Sequence, residues 1–121
     1  MGAVPQKNKV TFGKFQNIDM RVARIESAQM AEGTRHPCRI VKLDIGDLGH
    51  RQSIGQFALV DETDLVEKNV VVCVNLGERE MGPYISDALV LGAPHPDNPE
   101  GESQATPIFV SNDATPGDCI Y

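Results

Sequence analysis

"RIVKLDIGDLGHRQSIGQF", residues 39–57, is the stretch of sequence that determines the fold class. In its first half, apolar and mixed positions alternate: Val41, Leu43 and Ile45 fall on one side of an extended chain, and Ile40, Lys42 and Asp44 fall on the other. This alternation predicts a β-strand with one buried face. Gly46 and Gly49 flank the tight reversal that follows, and residues 50–57 read as the next strand. The stretch therefore predicts two neighbouring strands of a β-sheet.

The segment before this hairpin predicts a short helix or turn followed by a long, bent strand. Thr11 is a suitable helix cap, and the apolar residues at helical spacing after it are Phe12, Phe15 and Ile18. In "DMRVARIESAQM", residues 19–30, the apolar side chains change from one face to the other. A β-bulge in a bent strand produces such a change.

The downstream segments complete the predicted order of elements. Residues 61–69 predict a short helix with carboxylates near its N-terminus. Residues 70–76 are apolar on both faces until Asn75 and predict a strand buried on both sides. Residues 88–93 and 108–111 predict further strands. This order predicts an all-β fold, a five-stranded oligonucleotide- and oligosaccharide-binding (OB) barrel with its short helix between strands 3 and 4.

The length of 121 residues predicts one domain over residues 1–121. We expect residues 1–10 to be flexible and residues 94–107, which contain four prolines, to form an extended loop.

No apolar stretch approaches the length of a membrane span, and the N-terminus lacks the apolar region of a signal peptide. We therefore expect a cytoplasmic protein without membrane insertion. Three cysteines without metal-site spacing argue against a disulfide scaffold.

Charge is distributed unevenly along the chain. Residues 1–60 contain nine Lys or Arg and five Asp or Glu, a net charge of +4, whereas residues 61–121 contain two and twelve, a net charge of −10. A solvated acidic surface would explain the second half without any partner. Alternatively, the first half would form a basic surface that meets a polyanion, and a dimer would join two such surfaces.

Several ordered blocks resemble a known family. "FGKFQNIDMRVARI", residues 12–25, is similar to the opening of the tRNA-binding domain family, which includes the C-terminal domain of methionyl-tRNA synthetases. Residues 42–57, residues 70–92 and the late "PGD" are more similar to one branch, the CsaA proteins. The chain departs from that branch where Ile54-Gly55 replaces Ser-Ala and where Leu76-Gly77-Glu78 replaces Phe-Pro-Pro. The resemblance covers almost the whole chain.

The resemblance implies an OB-fold homodimer that binds tRNA. It also implies an alternative, a secretion-related chaperone that binds unfolded or export-bound polypeptide on the same face. The expected RNA-binding residues are Ser53, Gln56, Asn75, Arg79 and Ser86, with Arg21, Lys42 and Arg51 following the RNA backbone. Tyr84 and Ile85 are expected to contact an unstacked base or a peptide side chain. The expected dimer interface is the apolar face of Phe12, Phe15 and Ile18.

Several of these residues also have structural interpretations. Asn75 would close a strand end through backbone hydrogen bonds, and Arg79 lies between two glutamates with which it would form a local ion pair. Tyr84 and Ile85 would also suit a dimer interface. Asp87 would repel phosphate, so a hydrogen-bonding or dimer role suits it better.

The sequence favours a binding protein over an enzyme, with no metal or cofactor. The three histidines, His36, His50 and His95, lack companions at metal-binding or catalytic spacing. The acidic residues at 61–64 suit helix capping better than acid–base catalysis. No glycine-rich phosphate loop of recognised spacing is present.

Overall fold

The computed structural model describes residues 4–98 and 103–121 and is mostly β. Its main antiparallel sheet has the strand order β10-β4-β1-β2-β3, with β7 also paired to β4. The strands of this sheet are β1 Met20–Met30, β2 Arg39–Asp44, β3 His50–Gly55, β4 Asn69–Cys73, β7 Leu89–Val90 and β10 Phe109–Val110. Two separate hairpins pair β5 Arg79–Met81 with β6 Tyr84–Ser86, and β8 Gly92–Pro94 with β9 Ala105–Pro107.

The predicted hairpin over residues 39–57 is confirmed. β2 and β3 pair antiparallel from Arg39 opposite Gly55 to Asp44 opposite His50. The side chains predicted to face inward are fully buried, at 0% exposure for Val41, Leu43 and Ile45. Gly46 has a positive φ of 59°, and a Cβ there would lie 2.3 Å from the carbonyl oxygen of Pro116. The reversal therefore requires glycine at this position.

The predicted bulge in β1 is also confirmed. The pairing of β1 with β2 shifts register between Ile25 and Ser27, so Glu26 has no partner in β2. Before the bulge β1 pairs with β4, and after it the strand pairs with β2 alone. The bulge bends the strand so that it serves both parts of the sheet.

The five-stranded barrel and its helix differ from the prediction. The hydrogen-bonded sheet is open, because no ladder joins β3 to the segment 86–90 within the described residues. Between β3 and β4 there is a single 3-10 turn at Glu62–Asp64, with the Asp61 carboxylate accepting the Thr63 N–H at 3.0 Å. Carboxylates this close together suit a capped turn more than a continuing helix.

The loop predicted at residues 94–107 is shorter than expected. Pro94 and residues 105–107 belong to the β8–β9 hairpin, while residues 99–102 lie outside the described residues. Gln104 is 5% exposed, and its side-chain oxygen accepts the N–H groups of Ala58 and Leu59 at 2.9 and 3.3 Å. The sequence could not predict that Gln104 is buried, because the surrounding segment is rich in proline and a buried polar side chain adds nothing to hydrophobic periodicity.

The N-terminal helix is short and lies on the surface. α1 covers Phe12–Gln16, and the Thr11 hydroxyl accepts the Lys14 N–H at 3.2 Å, which confirms the cap. No residue of α1 is buried. Along the described ranges, no helix is long and apolar enough to cross a membrane.

Candidate functional site

Gln56 and Arg79 line the same two adjoining clefts, of about 260 and 430 Å³. Gln56 directly follows β3, and Arg79 begins β5, which pairs with β6 across a turn at Gly82. A Cβ at Gly82 would lie 2.6 Å from the carbonyl oxygen of Gly33, so the turn packs tightly on the neighbouring loop. Residues 79–86 thus form a hairpin whose first residue, Arg79, lines the same clefts as Gln56.

Both side chains are available to a ligand. Gln56 is half-buried, and its amide makes no hydrogen bond to any part of the chain that the structure describes. Arg79 is exposed, and the described residues contain no ion pair between it and either neighbouring glutamate. The arrangement places an amide donor and acceptor next to a free guanidinium, which can contact a base edge and a phosphate respectively.

A packed aromatic ring forms the floor of the smaller cleft. Phe57 is 3% exposed, and a Cβ added at Gly55 would lie 2.2 Å from its ring. A Cβ at Gly92 would lie 3.3 Å from the same ring. The departure from the related sequences at residue 55 therefore has a packing reason, since only glycine leaves room for the ring of Phe57.

Tyr84 and Ile85 differ in how they are placed. Ile85 is 49% exposed, so its side chain can contact a ligand or partner. Tyr84 is half-buried, and its hydroxyl accepts the backbone N–H of Glu32 at 3.1 Å. Tyr84 thereby holds the β5–β6 hairpin to the loop after β1, which the sequence did not indicate.

Ser53 and Ser86 lie together but face the interior, at 1% and 7% exposure. The Ser86 hydroxyl accepts the Ile54 N–H at 3.1 Å and donates to the Ala88 carbonyl at 3.0 Å. The Ser53 hydroxyl accepts the Val90 N–H at 3.4 Å. These side-chain bonds bridge the open side of the sheet, so neither hydroxyl is placed to meet RNA.

Asn75 and Arg21 lie at a different end of the sheet, where internal contacts occupy both. The Asn75 amide accepts the Asp19 N–H at 2.9 Å and donates to the Asn17 carbonyl at 2.7 Å. Arg21 makes an ion pair with Asp19 at 2.6 Å and donates to the Gly117 carbonyl at 3.1 Å. The hydrogen bond with Asp19 raises the pKa of the Arg21 guanidinium further above its ordinary value. The structural interpretation of Asn75 is the one that its contacts favour.

Lys42 and Arg51 share a cleft of about 480 Å³ on the outer face of β2 and β3. Arg51 donates to the Val74 carbonyl at 2.8 Å, and Lys42 is exposed and contacts the side chain of Gln52. Asp87 receives the Gln52 N–H at 2.9 Å, which supports the hydrogen-bonding role expected for this residue. The carboxylates of Glu26 and Asp87 line the same cleft, so these two cations belong to a patch of mixed charge beside β3.

His50 joins this patch, although the sequence suggested no companion for it. Its Nδ1 lies 2.7 Å from a carboxylate oxygen of Glu26, and this contact raises the pKa of His50. Glu26 is the bulged residue of β1, and a bulge redirects the side chain it carries. The bulge in β1 was the sequence feature that could have indicated a special role for Glu26. Its contact with His50, 24 residues away, could not be predicted because it depends on the register of three strands.

The apolar residues around α1 form a groove of about 290 Å³. Phe12, Phe15 and Ile18 are 72%, 40% and 46% exposed. Ile120 and Tyr121 from the C-terminus line the same groove. The structure thus brings together the three predicted interface residues and adds two that the sequence did not suggest.

Comparison with known proteins identifies the family of the chain. Residues 20–119 match the family model described as "Putative tRNA binding domain". A methionine–tRNA ligase from Dichelobacter nodosus is 34% identical over 94 residues, which are 75% of this chain and 14% of that protein. The chain thus spans about one seventh of the length of that ligase.

Solved structures show the same fold. A CsaA chaperone protein from Picrophilus torridus superimposes with a TM-score of 0.82 at 26% identity, covering 93% of this chain and 100% of that one. The chaperone CsaA from Bacillus anthracis gives a TM-score of 0.82 at 23% identity, covering 94% and 100%. The chain belongs to the tRNA-binding domain family.

Proposed function

We propose that this chain is a non-catalytic tRNA-binding module of the cytoplasm. The observation that carries the proposal is the shared cleft of Gln56 and Arg79, in which an amide and a guanidinium have no described partner inside the protein. Membership of the tRNA-binding domain family supports it. We assign the fold to the OB class, supported by the bulged β1 that pairs with both β2 and β4.

The proposed RNA contacts are assigned to side chains that are accessible at the surface. Gln56 contacts a base or ribose, Arg79 contacts a phosphate, and Lys42 and Arg51 extend the path of the RNA backbone. Ile85 offers an apolar surface beside them. Ser53 and Ser86 support this surface from within through the hydrogen bonds described above, whereas Asn75 and Arg21 lie at another end of the sheet and are left out of the proposed RNA contacts.

Salt dependence tests the proposal. Few cations are available, so the slope of log affinity for tRNA against log salt is about two to four units for a dimer, at roughly 0.7 to 0.9 per contact. Arg79→Ala flattens this slope by about one unit. Gln56→Ala lowers affinity without changing the slope, because an amide contact releases no counterion.

Lys68→Ala is the matched control for charge. Lys68 is exposed and lies with Asp61 and Asp64 in a different depression, so its loss leaves the slope unchanged. An Arg79→Ala slope equal to that of the native protein would refute the assigned phosphate contact.

A second candidate function is a peptide-binding chaperone that uses the same face. Two exposed apolar side chains favour it: Leu89, at 36% exposure, lines the cleft, and Ile85, at 49%, lies on β6, which pairs with the strand that carries Arg79. The similarity to a CsaA chaperone protein also supports it. Absence of tRNA binding at low salt, together with binding of an unfolded polypeptide that Ile85→Ser abolishes, would replace the RNA proposal by this one.

The homodimer is part of the proposal. Five apolar side chains around α1 and the C-terminus lie at the surface: Phe12, Phe15, Ile18, Ile120 and Tyr121. A second copy of the chain would remove this apolar area from water.

A further inference from the structure

A larger apolar groove of about 620 Å³ lies beside β10. The exposed side chains of Leu59 and Phe109, at 49% and 46% exposure, stand on its walls. Val60 and Val110 also line it. Exposed large apolar side chains that converge on one groove are typical of a binding surface rather than of scattered surface residues.

This groove is distinct from the proposed RNA site. Along β9, Ala105 lines the cleft of Gln56 and Arg79, whereas the next residue, Thr106, lines the apolar groove. Successive side chains of a strand point to opposite faces. The two depressions therefore lie on opposite sides of the β8–β9 hairpin.

The main chain at the groove has unused hydrogen-bonding groups. β10 is the edge of the main sheet, with Phe109 opposite Val70. The Val71 N–H donates to the Ile108 carbonyl at 3.1 Å, which makes the Phe109–Val70 pair the non-hydrogen-bonded kind. The N–H and C=O of Phe109 consequently point away from β4, where no strand of the described ranges pairs with them. An extended chain can add to such an edge.

The charge around the groove selects the partner. Two carboxylates, Asp61 and Asp64, line the groove together with Lys68 and His95. Further exposed acidic residues lie next to these lining residues in sequence: Glu62, Glu67, Asp97 and Asp113. Lys68 is the one Lys or Arg after residue 60 other than Arg79. This surface would repel a phosphate backbone and attract lysine or arginine side chains.

We propose that this groove binds an extended, basic polypeptide segment. A bulky apolar side chain of that segment lies between Leu59 and Phe109, flanking lysines or arginines meet the carboxylates, and its backbone pairs with the free edge of Phe109. The site is separate from the tRNA surface, so it does not depend on the proposed RNA-binding function.

The test uses a fluorescein-labelled ten-residue peptide that alternates lysine and leucine, and the same peptide with glutamate in place of lysine. The lysine peptide should bind the native protein at least tenfold more tightly than the glutamate peptide at low salt, because only the former complements the acidic rim. Leu59→Ser should weaken its binding roughly tenfold, as loss of an apolar anchor does. Asp64→Asn, which leaves the apolar wall intact, should weaken it about twofold to threefold at low salt and not at high salt.

Met30→Ser is the matched control, because Met30 and Leu59 have the same 49% exposure and Met30 does not line the groove. It should leave peptide affinity unchanged. Amide chemical shifts of the native protein should move at Leu59, Phe109 and Val110 but not at residues of β3. Equal binding of the two peptides, no binding of either, or loss of binding in Met30→Ser would each overturn the proposal.

Discussion

Asn75 binds Asp19 across 56 residues of sequence, with its side-chain oxygen accepting the Asp19 backbone N–H at 2.9 Å. The same amide donates to the Asn17 carbonyl, so one side chain fixes the connection between α1 and β1 onto the end of β4. The position of the whole apolar face of α1 depends on this contact.

Asn75→Ala should lower the free energy of unfolding by about 1–2 kcal/mol, because two hydrogen bonds to backbone groups are lost at a site open to water. Urea denaturation of both proteins measures the difference. Asn75→Asp is the control: it keeps the acceptor for Asp19 but turns a carboxylate oxygen toward the Asn17 carbonyl, so the stability it loses near neutral pH should be partly regained as acid protonates the new group. An alanine variant as stable as the native protein would contradict the structural role.

Ser86→Ala should cost about 1–3 kcal/mol of stability, since it leaves the buried N–H of Ile54 without an acceptor. The affinity of the folded variant for tRNA should remain within a factor of two of the native value, because the hydroxyl faces the interior. Ser103→Ala is a control at a half-buried serine, where the hydroxyl bonds only to the side chain of Asn98 among the described residues. A large loss of tRNA affinity in Ser86→Ala without loss of stability would restore the direct contact expected from the sequence.

The sequence predicted those parts of the structure that follow from local patterns. The alternation at Val41, Leu43 and Ile45 determined the β2–β3 hairpin, and the change of apolar face determined the bulge in β1. The roles of Ser53 and Ser86 could not be predicted, because the N–H groups that their hydroxyls accept lie 37 and 32 residues away in sequence and depend on how strands meet. A structural role for Asn75 was one of the two interpretations of its sequence, but its partners, 56 and 58 residues away, could not be named. A hydroxyl that binds RNA and one that bridges two strands look identical in a sequence.

Glu26→Gln should lower the pKa of His50 toward its ordinary value of 6.5, because the Glu26 carboxylate stabilises the imidazolium. The His50 pKa is raised in the folded protein, so its stabilising contribution is complete below the unfolded value and is lost as the pH rises through the folded pKa. A proton NMR titration of the His50 ring in both proteins measures the change. The histidine at position 95, which lies away from Glu26, serves as the internal control. Identical His50 titrations in the two proteins would show that the contact does not form in solution.

Phe15→Ala should weaken self-association by on the order of 2 kcal/mol or more, because apolar anchors near the centre of an interface carry much of its energy. Sedimentation equilibrium at micromolar concentration measures the dissociation constant. Leu59→Ala, in the separate groove beside β10, removes a side chain of comparable exposure, 49% against 40%, and should leave association unchanged. A native protein that sediments as a monomer would contradict the homodimer.

Gln104→Ala should lower the free energy of unfolding by about 1–3 kcal/mol, because Gln104 joins three separate segments. Its oxygen accepts the N–H groups of Ala58 and Leu59, and its nitrogen donates to the Pro37 carbonyl at 2.8 Å. Gln104→Glu retains the acceptor but turns a carboxylate toward the Pro37 carbonyl. This variant should therefore be less stable than the native protein near neutral pH, and its stability should recover as acid protonates the new group. Asn98→Ala removes a hydrogen bond to Ser103 within the same loop and should cost less. Thermal unfolding of the three variants measures the order of their stabilities. A Gln104→Ala protein that melts within a degree of the native one would contradict the anchoring role of this side chain.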